Sequence, residues 1–267
     1  MAEPTRRRGR PRKDAPETSG TIQALDRALD ILDMLAANPG LTLSEVAEQM
    51  GQSPSTVHRV LHTLAARGVA ESDPATQTWH IGPATFRLGS AFMRRSGIVE
   101  RARPILRALM EHTGETANLG ILNGDAVLFV SQAETHETIR AFFPPGTRSP
   151  LHASGIGKAL LAFGRPETLR SLLDNSELSR FTDKTLTSSE ALQEDMTRIR
   201  ARGFSFDDEE RTRGMRCIAA PVFDLTGEAI AGISVSGPTH RIGHEHVKTL
   251  GAAVASAAQD LTHALGG

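Results

Sequence analysis

The chain has 267 residues, 39% of them hydrophobic, a formal net charge of −1 and a single cysteine. That leaves room for one large or two ordinary domains with real cores, and it excludes an intramolecular disulfide framework. No apolar run is long enough to span a membrane and none follows the charged N-terminus, so neither an anchor nor a signal peptide is expected and a cytoplasmic location suits the chain.

The charge is unevenly placed. Residues 6–13 read Arg-Arg-Arg-Gly-Arg-Pro-Arg-Lys. Up to Lys13 there are five arginines and one lysine against one glutamate, a local +5, which leaves roughly −6 for the rest, so basicity is confined to one end. Gly9 has no side chain, and Pro11 fixes φ and biases Arg10 away from helix. The extended strip resembles an AT-hook, in which Arg8, Arg10 and Arg12 would enter an A·T-rich minor groove. A solvated basic tail has the same composition. Residues 14–20 are polar, with Pro16 and Gly20, so 1–20 is expected to be a disordered basic arm.

Order is predicted from residue 21. Leu25, Ala28, Leu29, Leu32, Leu35 and Ala36 recur at helical spacing until Asn38-Pro39-Gly40 stops them. Thr42 and Glu45 fit a capping box for a second helix that buries Leu43, Val46, Ala47 and Met50, and Gly51 ends it. Ser53 as N-cap and Pro54 at the first helical position start a third helix, with Val57, Val60, Leu61 and Leu64 turned inward. Its other face carries Ser55, Thr56, His58, Arg59 and His62. Short hydroxyls at a helix N-terminus permit close approach to phosphates, and Arg59 reaches a guanine or a phosphate, as a recognition helix requires. Ser53, Ser55, Thr56, His58 and Arg59 are therefore the candidate DNA contacts. Val69–Ser72 and Thr78–Ile81 flank an Asp73–Gln77 turn and read as a hairpin wing, with Trp79 packed on the helical core. Residues 21–83 thus form a predicted winged helix-turn-helix.

Gly82-Pro83 breaks the pattern. Residues 84–113 read as linker helices, interrupted near Ser96-Gly97 and at Pro104, that connect and dimerise the chain. Asn123-Gly124 between Thr116–Leu122 and Ala126–Ala133 signals a hairpin. Further strands are expected at Phe204–Asp207, Cys217–Phe223 and Ala229–Ser236, and helices at 156–163, 167–174, 188–202 and 244–265. Hairpins interleaved with helices imply an α+β domain over 84–267, an antiparallel sheet covered by helices.

The motifs Leu-Asp-Arg-Ala-Leu-Asp-Ile-Leu, Ser-Pro-Ser-Thr-Val-His-Arg-Val-Leu, Leu-His-Ala-Ser-Gly-Ile-Gly-Lys-Ala, Gly-Phe-Ser-Phe-Asp-Asp-Glu-Glu and Ile-Ser-Val-Ser-Gly-Pro appear in that order. With them the chain resembles the isocitrate-lyase regulator (IclR) family of bacterial transcription factors, over nearly all of its length after residue 21. The resemblance implies a winged helix-turn-helix, a GAF-like effector-binding domain, and a dimer or dimer of dimers. The basic arm is not part of the family's common pattern.

In the C-terminal part, Ser154, Gly155 and Ile156 open a helix whose free N–H groups suit a carboxylate. Ser234 and Ser236 share one strand face, as do Met215 and Cys217. The family's glyoxylate- and pyruvate-binding members use residues that look like Gly155, Ile156, Asp207, Cys217, Ser234 and Ser236, with Leu151 and Met215 as apolar wall. Taken singly, Cys217 is a small core residue, and Asp207-Asp208-Glu209-Glu210 a solvated acidic loop. The expected partners are operator DNA, a small 2-oxo acid (glyoxylate first, pyruvate next) and a second copy of the chain, with no cofactor and no metal. The alternative is an enzyme using Cys217 as nucleophile and His152, His240 or His244 as base, but no motif ties any of these histidines to the cysteine.

Overall fold

The computed structural model describes residues 22–175 and 177–266; the basic arm, with Arg8, Arg10 and Arg12, lies outside them. The chain forms two compact units that divide between residues 94 and 95. The first linker helix groups with the first unit, since its Ala84 N–H bonds to the Gly68 carbonyl.

In the first unit, helices α1 (Gln23–Ala37), α2 (Leu43–Gln49) and α3 (Pro54–Ala66) pack with strands β1 (Leu41–Thr42), β2 (Ala70–Asp73) and β3 (Thr78–Ile81). The strands form an antiparallel sheet in the order β1-β3-β2. The capping box is present: Thr42 N–H donates to the Glu45 carboxylate at 2.8 Å, and Glu45 N–H donates to Thr42 Oγ1 at 3.3 Å. Ile31, Leu35, Val46, Val57, Leu61, Ala70 and Trp79 form the core. Leu25 and Leu29 continue the α1 period but remain exposed, because the apolar stripe outruns the core that covers it. Phe86 and Leu88, on helix α4 (Pro83–Ser96), are exposed as well.

The second unit begins with α5 (Ile98–Thr113), and its sheet is built from β4 (Thr116–Asn123), β5 (Ala126–Ala133), β6 (Arg148–Pro150), β7 (Ser205–Asp208), β8 (Met215–Phe223) and β9 (Ala229–Pro238). Their order is β6-β5-β4-β9-β8-β7, with antiparallel pairing throughout. Helices α6 (Gly155–Phe163), α7 (Pro166–Asn175), α8 (Ser189–Arg202) and α9 (Val247–Leu265) complete it. α6 lies against β7, β8 and β9 with α8 behind it, while α5 and α9 pack on each other and on the sheet. Burial on both faces explains why β8 and β9 read as continuous apolar runs and not as alternating ones.

The break between α4 and α5 falls at Gly97, with φ +60°, a left-handed conformation that costs glycine little. The second expected break is absent: Pro104 sits inside α5. A proline there removes one backbone bond, but buried Ile98, Val99, Ala102, Leu106 and Leu109 hold the helix through.

Candidate functional site

The hydroxyls at the start of α3 form one cluster. Ser53 Oγ accepts the Thr56 N–H at 3.3 Å and lies 3.1 Å from Ser55 Oγ and 2.9 Å from Thr56 Oγ1. Ser53, Ser55, His58 and Arg59 are exposed and Thr56 is half-buried. The His58 and His62 rings lie 4.1 Å apart, and His62 meets the edge of Trp79. The wing's tryptophan thus braces the exposed face from behind.

The second site lies where α6 meets the sheet. Pairing of Asp207 with Cys217, Cys217 with Ser236, and Asn118 with Ser234 puts these side chains on one sheet face. α6 approaches that face closely. A Cβ on Gly155 would lie 2.7 Å from Cys217 Sγ, and one on Gly232 would lie 2.8 Å from Ile156 Cγ2. Ser154 caps the helix by accepting the Gly157 N–H at 3.0 Å, and Ser205 Oγ donates to the Gly155 carbonyl at 2.6 Å.

A cavity opens between the helix start and the sheet. Its lining includes Gly155, Ile156, Asp207, Met215, Cys217 and Ser236 of the residues expected from sequence. Leu151 and Ser234 are not in the lining. Leu151 is in the core beneath α6, where its carbonyl backs onto Gly157. Ser234 and Ser236 each accept from Asn118 Nδ2 at 3.4 Å. Both hydroxyl oxygens accept from Asn118 and both hydroxyls also face the Cys217 sulfur, and of the two Ser236 lines the cavity. Sequence reasoning missed Asn118, whose signal was a lone amide in an apolar strand. It also missed Phe129, Phe143, Ser149, Arg211 and Thr212, which line the same space.

Electrostatics divide the cavity wall. Burial pushes the Cys217 thiol up to about 11, with the Asp207 carboxylate adding to the shift. The thiol is therefore protonated at neutral pH and is no activated nucleophile. Lys158 is fully buried and donates to Asp195 at 2.8 Å, Glu210 at 2.6 Å and the Phe206 carbonyl at 2.7 Å. Burial raises Asp207 to about 6 and Glu210 to about 7 against the pull of Lys158. Arg216 is committed to Asp208, at 2.6 Å, and to the Ile242 carbonyl. Arg211 lies over the Phe181 ring at 5.2 Å and lines the cavity, where its charge favours the ionised form of Asp207.

Gly155→Ala should cost roughly 1–3 kcal/mol of stability, the usual penalty for overpacking. The same change in a Cys217→Ala background should cost far less, because the nearest clashing atom is gone. A double-mutant cycle by urea unfolding reads the difference, and additive costs would mean that α6 simply moves aside.

Comparison with known proteins follows this division of the chain. The family described as IclR helix-turn-helix domain matches residues 24–74, and that described as bacterial transcriptional regulator IclR C-terminal matches residues 90–263. The chain is 67% identical over 266 residues to the HTH-type transcriptional regulator BhcR of Paracoccus denitrificans, covering 98% of this chain and 95% of that protein. It is 38% identical to the transcriptional repressor IclR of Escherichia coli K12, covering 99% and 97%. The crystal structure of the Thermotoga maritima IclR superposes with a TM-score of 0.75 at 28% identity, covering 92% of this chain and 99% of that one.

Proposed function

The chain belongs to the IclR family of bacterial transcriptional regulators, and we propose that a small 2-oxo acid, glyoxylate first, occupies the α6 cavity and sets the protein's affinity for operator DNA. As a DNA-binding regulator it is not an enzyme. The enzymic reading of Cys217 falls with that, and the raised thiol pKa agrees.

The observation that carries the effector reading is the convergence of anion-binding groups on one small space. The N-terminus of α6 offers its dipole, the Ser236 hydroxyl lines the same cavity, and Arg211 adds a cation beside the Asp207 carboxyl. Five of the six positions that resemble those of glyoxylate- and pyruvate-binding members line it, and Ser234 acts through Asn118. With glyoxylate as effector, the genes under control would be those of C2 carbon metabolism.

At the other end of the chain, the Ser53, Ser55 and Thr56 hydroxyls would take phosphates, with His58 and Arg59 reaching base edges. The basic arm would add non-specific affinity through Arg8, Arg10 and Arg12. A second copy of the chain would cover the exposed Leu25, Leu29, Phe86 and Leu88. In this reading residues 21–83 bind DNA, 84–267 sense the acid and assemble the oligomer, and the protein works in the cytoplasm.

Linkage supplies the test. Saturating glyoxylate should change operator affinity by roughly 5–150-fold, and saturating operator must change glyoxylate affinity by the same factor. Calorimetry with and without operator measures the second factor, and a mobility-shift titration measures the first. Equal glyoxylate affinity in both states, or no binding at all, defeats the reading.

A further inference from the structure

Buried polar atoms are almost always hydrogen-bonded, so each exception needs a reason. Among the described residues, the buried side-chain atoms without a partner are Asn118 Oδ1, Gln132 Nε2, Ser149 Oγ, Arg202 Nη2 and Glu210 Oε2. Of these, Ser149 is the one that lines the cavity, and it is only 2% exposed. It lies on the short edge strand β6, paired with Val127. Its surroundings in the cavity are apolar: Phe129 and Phe143 stack at 4.9 Å with their planes 11° apart.

Three strands separate β6 from β8 in the sheet order, yet one cavity touches Ser149 and Cys217. The sheet therefore curls, and Ser149 closes the space from the side opposite Asp207 and Cys217. A ligand whose carboxylate is held at Gly155 turns its other end toward the two rings and this hydroxyl. A methyl group there would leave Ser149 Oγ unpaired, whereas a hydroxyl or hydrated carbonyl would satisfy it.

We propose that Ser149 is the specificity-determining residue that reads the end of the effector remote from its carboxylate, selecting a terminal hydroxyl or hydrated carbonyl over a methyl group. This rests on the reading of the cavity as the effector site. A site built to bond a polar group rejects the analogue that lacks it more strongly than an apolar pocket rejects an extra one.

Two three-carbon acids that differ only by a terminal hydroxyl, 3-hydroxypyruvate and pyruvate, make the test, titrated by calorimetry into the full-length protein. The wild type should prefer 3-hydroxypyruvate by roughly three- to tenfold, the worth of one hydrogen bond. Ser149→Ala should bring that ratio to about one by weakening the hydroxylated acid alone, and Ser149→Cys, which fills the space with a slightly larger group that is only a weak donor and acceptor, should do the same without opening a cavity. Ser236→Ala, at the carboxylate end, should weaken both acids equally. If Ser236→Ala does so but the ratio survives in both Ser149 variants, or both acids weaken together there, Ser149 reads nothing and the cavity remains the effector site. If Ser236→Ala leaves both affinities intact, the cavity reading fails and the role of Ser149 fails with it; if the wild type binds neither acid, the selectivity assigned to Ser149 fails while glyoxylate binding is judged by its own titration.

Discussion

Lys158→Met should destabilise the C-terminal unit by about 3–5 kcal/mol at pH 8 and by much less at pH 5. Methionine keeps the length and the apolar stem, so the loss is that of a charge from a buried cluster, and a broken buried pair costs about that much. Out of a typical total of roughly 5–15 kcal/mol, this is enough to threaten folding. The pH dependence follows from the carboxyls left behind. Asp207 and Glu210 titrate at about 6 and 7 in the folded chain because burial outweighs Lys158, against roughly 4 when unfolded. A raised folded value means that the folded state holds protons the unfolded state has released. The stability these groups contribute is therefore fully present below roughly pH 4 and is lost as the pH rises through their folded values. Without the lysine the largest opposition to burial is gone, with only the Glu210 N–H and Arg211 still favouring the Asp207 carboxylate, so both values climb and the loss toward pH 8 steepens. Urea unfolding of wild type and variant at the two pH values measures it. An equal cost at both would show that the carboxyls do not titrate in this range.

Ser234→Ala combined with Ser236→Ala should sharply weaken glyoxylate binding while leaving the fold and effector-free operator binding intact. Hydrogen bonds to a charged group are worth roughly 1.5–3 kcal/mol each. Ser236 faces the cavity and Ser234 shares the Asn118 amide that positions it. Losing the Ser236 bond, and with Ser234 the contact that positions Asn118, removes much of what so small a ligand gains, a loss on the order of 10–10²-fold. Calorimetry gives the affinity, and operator binding without effector is the internal control. Unchanged glyoxylate affinity in the double variant would place the ligand elsewhere.

Local signals carried most of the fold. Ser53-Pro54 opens α3, Asn123-Gly124 turns β4 into β5, and Ser154 caps α6, each as the local chemistry dictates. Where tertiary contacts overrule local preference, the sequence misleads. Pro104 reads as a break, yet the helix runs on because its buried face holds it. The two-residue β1 and three-residue β6 are too short to show any period and exist only through distant partners. The site divides in the same way. Residues close in sequence to a cap, or two apart on a strand, were found by spacing. Asn118, Ser149 and Arg211 come together only when the sheet curls, and no spacing encodes a curl. The resemblance puts Leu151 at the wall with Met215, whereas the chain turns Leu151 under the helix. Lys158 carries no mark of burial until its three acceptors are seen around it.

The seating of α6 limits how such a sensor can diversify. Ile156 is wedged between Gly120 and Gly232, Gly155 touches Cys217, and Lys158 ties the helix to Asp195 and Glu210. A side chain added at those glycines collides with packed neighbours that would have to change with it. Sequence drift there is closed off, and the anion-holding half of the cavity is frozen with it. Ser149 and Thr212 stand on an edge strand and on the loop between β7 and β8, where a change of residue disturbs no helix seat. Descendants of this chain can therefore acquire new chemical preferences at one wall while inheriting an unaltered grip on the carboxylate at the other.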